Sequence, residues 1–319
     1  MLRELRAGVI GAGVFGGFHA NKYAAAEDVR LSCVFDLDVS RAKRLADRFG
    51  AATAKSIDEF LDRVDVVTIA SPAESHFALG RAALAADRHV YVEKPLAMQV
   101  DDANALVRLA GQRGKVLFVG HQERLVLDAI GLFGSNERPI KVEFSRCGPS
   151  SGRCEEVSVV WDLMIHDLDL AARLGCGRPV DVRAAGSDHE AMATIDFEND
   201  CVASFLASRR CSDRRRMMTA HYPDGVVTVD FLSRSLTSTR PDGVLRQVAL
   251  GAALDDPLGA NVSKFLACVQ GDESCGVAAA DGADSIALAA FVDGAIASVN
   301  AGQSQSGVGL EDAARRLSA

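Results

Sequence analysis

The stretch VVWDLMIHDLDLAARL, residues 159–174, sets three aspartates and a histidine into an otherwise apolar run. At helical spacing Asp162, His166, Asp169 and Arg173 fall on one stripe, with Trp161, Ile165, Leu168 and Ala172 on the stripe beside it. Leu163, Leu170 and Leu174 line the other flank, broken by Asp167. A helix apolar on both sides of its polar stripe does not lie loosely on a surface, so some of these acids are expected to face a cleft. Such residue types serve metal ligation, a proton relay between carboxylate and imidazole, or an ordinary helix surface. Spacing alone leaves these readings open, although no full metal ligand set presents itself and no metal is expected.

A second constellation opens the chain. Gly11, Gly13 and Gly16 form the GxGxxG of VIGAGVFGGFHA, directly after a strand-like run. Gly11 permits the tight turn, Gly13 lets the backbone approach a pyrophosphate, and Gly16 lets helix and strand pack closely. The helix beginning at Val14 and Phe15 offers unpaired N–H groups and a favourable dipole to the phosphates. Asp36 ends the second strand in CVFDLD, where a carboxylate accepts from the adenine-ribose hydroxyls. The same carboxylate repels a 2′-phosphate and Leu37 adds no positive charge, so NAD is expected over NADP. Arg41 keeps NADP open, while nothing further in the chain calls for a flavin.

Elements must hold these groups in place. To about residue 120 the chain alternates: strand AGVIGAG, a helix through the 20s, strand VRLSCVFD, helix SRAKRLADRF with Ser40 as its cap, strand VDVVTIAS, and a helix from His76 to about Ala86. Strand HVYVEKP, helix QVDDANALVRLAGQRG and strand KVLFVGHQ follow. This predicts a parallel Rossmann sheet with crossover helices on both faces. After about residue 123 the period changes, and IKVEFSRC, VDVRAAG, AMATIDFE, CVASFLAS, RMMTAHY and GVVTVDF read as strands of a large, mostly antiparallel sheet with helices against one side. Helices are predicted near 257–270 and 280–299, and a mobile loop at 147–158. The fold class is therefore α/β: residues 1–122 as a Rossmann domain for NAD(P), and 123–319 as an α+β domain for substrate binding and oligomerisation.

Composition sets the outer bounds. A chain of 319 residues, 48% hydrophobic, can bury two cores. A formal charge of -8 without a broad basic tract argues against nucleic-acid or anionic-membrane partners. The exception is Arg209, Arg210, Arg214, Arg215 and Arg216, which read either as a solvated loop or as guanidinium forks for phosphate. Eight cysteines at 33, 147, 154, 176, 201, 211, 268 and 275 show neither CxxC nor zinc spacing, as expected of reduced thiols in a cytoplasmic protein. The amino terminus runs straight into a strand, leaving no room for a signal peptide, and SIALAAFVDGAIASV, interrupted by Asp293, reads as too short and mixed for a membrane span. The antiparallel sheet presents a face that needs cover, which suggests a homodimer or homotetramer.

Taken together, GAGVFG, IASPAESH ending at His76, and VEKPL at 92–96 resemble the Gfo/Idh/MocA family of NAD(P)-dependent sugar oxidoreductases. That resemblance implies that Ser71, Pro72, His76, Glu93 and Lys94 border the cofactor, that EKP lies between cofactor and substrate, and that Pro95 follows a cis peptide. It also implies that Asp162 and His166 match the family's Asp-x-x-x-His. His166 is then the general base, Lys94 orients the hydroxyl and stabilises developing charge, and Asp162 orients or polarises that pair. Ile165 stands where family members often carry glycine. More narrowly, VGHQERL at 119–125 and DLMIHD resemble the subgroup that oxidises C3 of UDP-N-acetylglucosamine on the way to lipid A or surface-polysaccharide amino sugars, with Leu125 replacing a phenylalanine. In that reading Glu123 and Arg124 border the substrate, and some of Arg209, Arg214 and Arg216 meet its diphosphate. An enzyme for a free sugar or polyol such as myo-inositol is the alternative, and a non-catalytic dinucleotide sensor is the alternative of another class.

Overall fold

The computed structural model describes residues 4–133, 137–150, 152, 157–241, 245, 255–271 and 280–301. It divides into two compact units, Met1–Gln122 with Asp256–Ala283, and Glu123–Asp255 with Asp284–Ala319.

In the first unit six parallel strands run in the order β3-β2-β1-β4-β5-β6. They are β1 Leu5–Ile10, β2 Val29–Phe35, β3 Ala52–Thr53, β4 Val66–Ile69, β5 His89–Val92 and β6 Leu117–Val119. β1, β4 and β5 are buried along nearly their whole length, as strands covered on both faces must be. The crossover helices are α1 Val14–Ala25, α2 Val39–Phe49, α3 Ile57–Leu61, α4 His76–Ala85 and α5 Val100–Arg113. The cap of α2 differs from the expected Ser40: the Asp38 carboxylate accepts from the Ser40 and Arg41 amides, because it sits two and three residues ahead of those first-turn N–H groups.

Residues 123–319 do not stay together. After α6 Arg124–Ala129 and α7 Ile165–Arg173, helix α8 Pro257–Val269 joins the first unit. Its Leu258, Val262, Phe265 and Leu266 recur at helical spacing and enter the core of Val9, Tyr23, Leu31, Tyr91 and Phe118. Phe265 meets both Tyr91 and Phe118, at centroid separations of 5.8 and 6.0 Å. Asp256 caps the helix through Gly259 N and accepts from Lys22 Nζ at 2.6 Å, fixing α8 to α1.

The second unit is a seven-stranded sheet, β13-β12-β11-β7-β10-β9-β8. Its strands are β7 Lys141–Pro149, β8 Pro179–Ser187, β9 Glu190–Phe197, β10 Val202–Ser208, β11 Arg210–Tyr222, β12 Gly225–Asp230 and β13 Ser235–Ser238. All pairs are antiparallel except β7 with β10. Period-two burial puts Val142, Phe144, Ala203, Phe205, Ile195 and Met218 on the covered face. The expected arginine loop is part of β11, which runs back to Arg210 with a register shift between Arg210 and Arg215.

Helix α9, Ala280–Asn300, crosses the division after Ala283. The length expected for this segment is corrected: Gly282–Asn300 is long and apolar enough to span a membrane by length and composition, and 56% of that window is buried within the protein. Helix 159–174 departs from one continuous α-helix. Val160–Met164 form a π-helical turn before α7 begins at Ile165. The loop expected at 147–158 is corrected in part: residues 147–149 are the end of β7. Residues 151 and 153–156 of that stretch, and the tail beyond residue 301, lie outside the described residues.

Candidate active site

In the first unit the candidate residues gather where the parallel strands end, which is where open α/β sheets bind ligands. Gly11 follows β1 with φ +96°, and a Cβ there would lie 2.6 Å from Ala70 O, so the glycine turn packs directly on the loop after β4. A Cβ on Gly16 would stand 1.7 Å from Gly11 O, which leaves glycine as the residue that lets α1 close on the turn. At Gly13 the result is opposite: an added Cβ meets nothing within 4 Å. That open space lies at the start of α1, whose first turn carries no side-chain cap and exposes Val14 and Phe15. Free amides, a helix dipole and a vacant Cβ direction together fit a dinucleotide pyrophosphate.

Asp36 follows β2 and is tied to the same turn. Its Oδ2 accepts from Ala12 N at 2.7 Å and its Oδ1 from Asp38 N at 2.8 Å. These bonds aim a fixed negative charge at the ribose position while leaving lone pairs for hydroxyl donors. Arg41 is engaged with Asp38 at 3.1 Å, which accounts for the one cation that kept NADP open.

Ser71 and Pro72 form the turn after β4, where Ser71 Oγ bonds Ser75 Oγ at 2.6 Å and Ser75 Oγ donates to Pro72 O. His76, expected at the cofactor, is 1% exposed at the start of α4. Its Nδ1 lies 2.7 Å from Pro95 O and its Nε2 2.9 Å from Ser71 O, two acceptors of which a neutral imidazole, with one N–H, serves one at a time. Burial lowers its pKa, opposed by those two carbonyls. Glu93 follows β5, and Lys94 precedes Pro95 through a cis peptide. Glu93 Oε1 lies 2.7 Å from His19 Nε2, and a Cβ on Gly120 would crowd both Glu93 Oε2 and Tyr91 Oη at 3.0 Å. His19 is a residue the sequence reading passed over. The signal was present, since His19 shares the buried stripe of Gly16, Ala20 and Tyr23, where a polar side chain needs a partner.

In the second unit three arginine–aspartate pairs tie the 159–174 helix to its surroundings. Arg124 is 2% exposed and grips Asp169 with Nε, at 2.6 Å, and with Nη2. Arg146, from β7, holds Asp167 with Nε at 3.1 Å and Nη2 at 2.7 Å. Arg209 donates to Asp162 Oδ2 at 2.9 Å and to Val157 O at 2.9 Å. Arg124 and Arg209, expected at the substrate, are both buried, and their guanidinium groups hold aspartates of this segment. His166 Nδ1 lies 2.9 Å from Glu123 Oε2, while Glu123 Oε1 accepts from Arg146 Nη1 at 3.0 Å. Burial would raise the Glu123 carboxyl, but His166 and Arg146 overcome it and hold the group well below its ordinary range. Arg146 was missed in sequence although it occupies the inward parity of β7 with Val142 and Phe144.

Residues 5–121 match the GFO_IDH_MocA family, described as "Oxidoreductase family, NAD-binding Rossmann fold". A UDP-N-acetylglucosamine 3-dehydrogenase from Acidithiobacillus ferrooxidans is 37% identical over 282 residues, covering 82% of this chain and 88% of that protein. The chain belongs to the Gfo/Idh/MocA family. The solved structure of the A. ferrooxidans dehydrogenase superposes with TM-score 0.82 at 32% identity, covering 93% of this chain and 98% of that one. An inositol 2-dehydrogenase from Acidothermus cellulolyticus is 29% identical over 208 residues, 62% of this chain and 61% of that protein. As a Gfo/Idh/MocA enzyme the chain is an NAD-binding oxidoreductase acting on a hydroxyl-bearing substrate, and the glycine turn with Asp36 supplies the physical basis for NAD.

Proposed function

We propose that this enzyme oxidises a sugar-nucleotide hydroxyl, and specifically C3 of UDP-N-acetylglucosamine, delivering a 3-keto sugar nucleotide to amino-sugar synthesis for lipid A or surface polysaccharide in the cytoplasm. The observation that carries this reading is the extent of the A. ferrooxidans relationship, which runs through both units rather than the Rossmann sheet alone. NAD, when bound, accepts the hydride from the carbinol carbon. In this reading His166 receives the hydroxyl proton, Lys94 orients that hydroxyl and stabilises its developing charge, and Asp162, held by Arg209, orients or polarises that pair.

The substrate diphosphate calls for cations not already committed. Among the described residues neither Arg214 nor Arg216 makes an ion pair. Arg216 stands opposite Arg146 in the β11–β7 ladder, hence on the sheet face that carries Asp167 and Glu123, and Arg214 packs 3.2 Å from where a Gly148 Cβ would be. Desolvation and then the positive Arg146 lower the Arg216 pKa, although the residue as a whole is exposed, so an anion there relieves like-charge repulsion. The likeness to the inositol dehydrogenase supports a second reading, a polyol substrate, which would leave these arginines without a ligand.

A panel of UDP-N-acetylglucosamine, UDP-glucose and myo-inositol with oxidised NAD, with the keto position identified, separates the two. We expect nicotinamide reduction with the first, a 3-keto product, and turnover lost by at least about a hundredfold in His166→Ala and in Lys94→Ala. Turnover with myo-inositol alone would overturn the sugar-nucleotide reading. The enzyme also self-associates, in this reading, through the outer face of the seven-stranded sheet, where Met192 is 59% exposed next to Thr194, Leu206 and Met217.

A further inference from the structure

The imidazole proposed as the base has a specific companion. Asp162 is the carboxylate that sequence spacing offers to His166, yet its Oδ2 is engaged by Arg209 at 2.9 Å. The carboxylate on the imidazole belongs to Glu123, forty-three positions earlier in the chain at the start of α6. We propose that Glu123 is the positioning residue for His166, fixing the imidazole as the Nδ1–H tautomer with its lone pair on Nε2, and that Arg146 anchors Glu123 for this task.

The chemistry follows from what each atom is able to do. An ionised carboxylate only accepts hydrogen bonds, so the 2.9 Å contact from His166 Nδ1 to Glu123 Oε2 requires the proton on Nδ1. Neutral imidazole carries one proton, which puts the basic lone pair on Nε2. Glu123 is kept ionised from its other edge, where Oε1 accepts from Arg146 Nη1 at 3.0 Å. Arg146 cannot swing away, because its remaining edge grips Asp167 and both side chains are 4% exposed. The chain Asp167–Arg146–Glu123–His166 therefore starts and nearly ends within two neighbouring residues of the same helix, closing a ring through β7 and α6. Such a ring removes rotamer freedom from the imidazole before substrate arrives. When the substrate O–H bond breaks, its proton forms the N–H bond at Nε2, the C–H electron pair leaves as hydride to NAD, and C–O becomes C=O. The imidazolium so formed lies against a fixed negative charge, which favours it in the transition state. Charged groups around the dyad include Arg146 on β7, Arg216 opposite it on β11, and Asp167 on α7 itself, with the Arg209–Asp162 pair one helical turn before His166.

This inference rests on His166 as the base, but its test needs neither NAD nor sugar. In protein labelled with 15N-histidine, with His166 assigned through His166→Gln, long-range 15N–1H spectra report the tautomer directly. We expect Nδ1–H for His166 in the wild-type protein. In Glu123→Gln we expect an increased share of Nε2–H and a titration midpoint lower by about one pH unit, since a neighbouring anion favours imidazolium by that order. In turnover, the same variant is expected to lose about a hundredfold in kcat with KM nearly unchanged, and the acidic limb of its pH profile moves down with the midpoint. An Nε2–H tautomer in the wild-type protein would overturn the assignment even if Glu123→Gln failed to fold. An unchanged tautomer and midpoint in a folded Glu123→Gln would overturn it as well. A protein that shows the Nδ1–H tautomer but turns over no sugar nucleotide would leave the dyad standing and remove the substrate reading instead.

Discussion

At the scale of single residues, charge pairing decides more than proximity in sequence. His166 has three aspartates within four positions, Asp162, Asp167 and Asp169, and each is claimed by a different arginine. The imidazole Nδ1 meets Glu123 instead of depending on sequence neighbours alone, and the folded-state pKa of Glu123 lies below its ordinary value of 4.5 because His166 and Arg146 outweigh its burial. A depressed carboxylate contributes stability that is fully present above the unfolded pKa and is lost as pH falls through the folded one. Urea unfolding is therefore expected to show stability declining as pH drops below about 4.5, with a shallower decline in Glu123→Gln. Identical pH slopes for the two proteins would show that the Glu123 pairs contribute nothing. Gly11, Gly13, Gly16 and Asp36 were legible in the sequence because a phosphate turn and a ribose carboxylate are local demands, met within one strand–turn–helix unit and the next strand end. The arginine partners were not, since each reaches its acid across at least twenty-one residues of chain.

At the scale of elements, hydrophobic period told strand from helix, but not which helix would cover which sheet. The alternation up to residue 120 announced the parallel sheet, and the later strands announced the second one. Short pieces such as α3 and β3 fell below what periodicity resolves, and the π-helical turn at 160–164 is invisible to a fixed 3.6-residue period. Helix α8 was found in sequence as a helix, yet its apolar stripe does not say whose core it enters. Phe265 is fully buried between Tyr91 and Phe118 in the first unit. Phe265→Ala is expected to cost about 3–5 kcal/mol in urea unfolding, read from fluorescence or circular dichroism of the whole chain. A loss below about 1 kcal/mol would mean that α8 is dispensable to the Rossmann core.

At the scale of the whole molecule, two units are built from interleaved stretches of chain, so truncation after residue 255 removes α8 from the first core. The outer face of the seven-stranded sheet shows Met192 and Leu206 to the outside. Sedimentation is expected to show a dimer or tetramer for the wild-type protein and a folded monomer for the double variant Met192→Glu, Leu206→Glu. A wild-type monomer at micromolar concentration would remove the self-association reading. The sequence by itself determined the dinucleotide turn, the preference for NAD and the two sheets, because local sterics and short-range periodicity encode them, while Lys94, Asp162 and His166 stood out through the resemblance of VEKPL and DLMIHD to family motifs. Only the tertiary structure decided which carboxylate serves His166, which arginines are committed and which stay open, and which core receives α8. Those outcomes depend on the competition among partners that are distant in sequence, and that competition is settled only when burial forces every charge to find its counterpart.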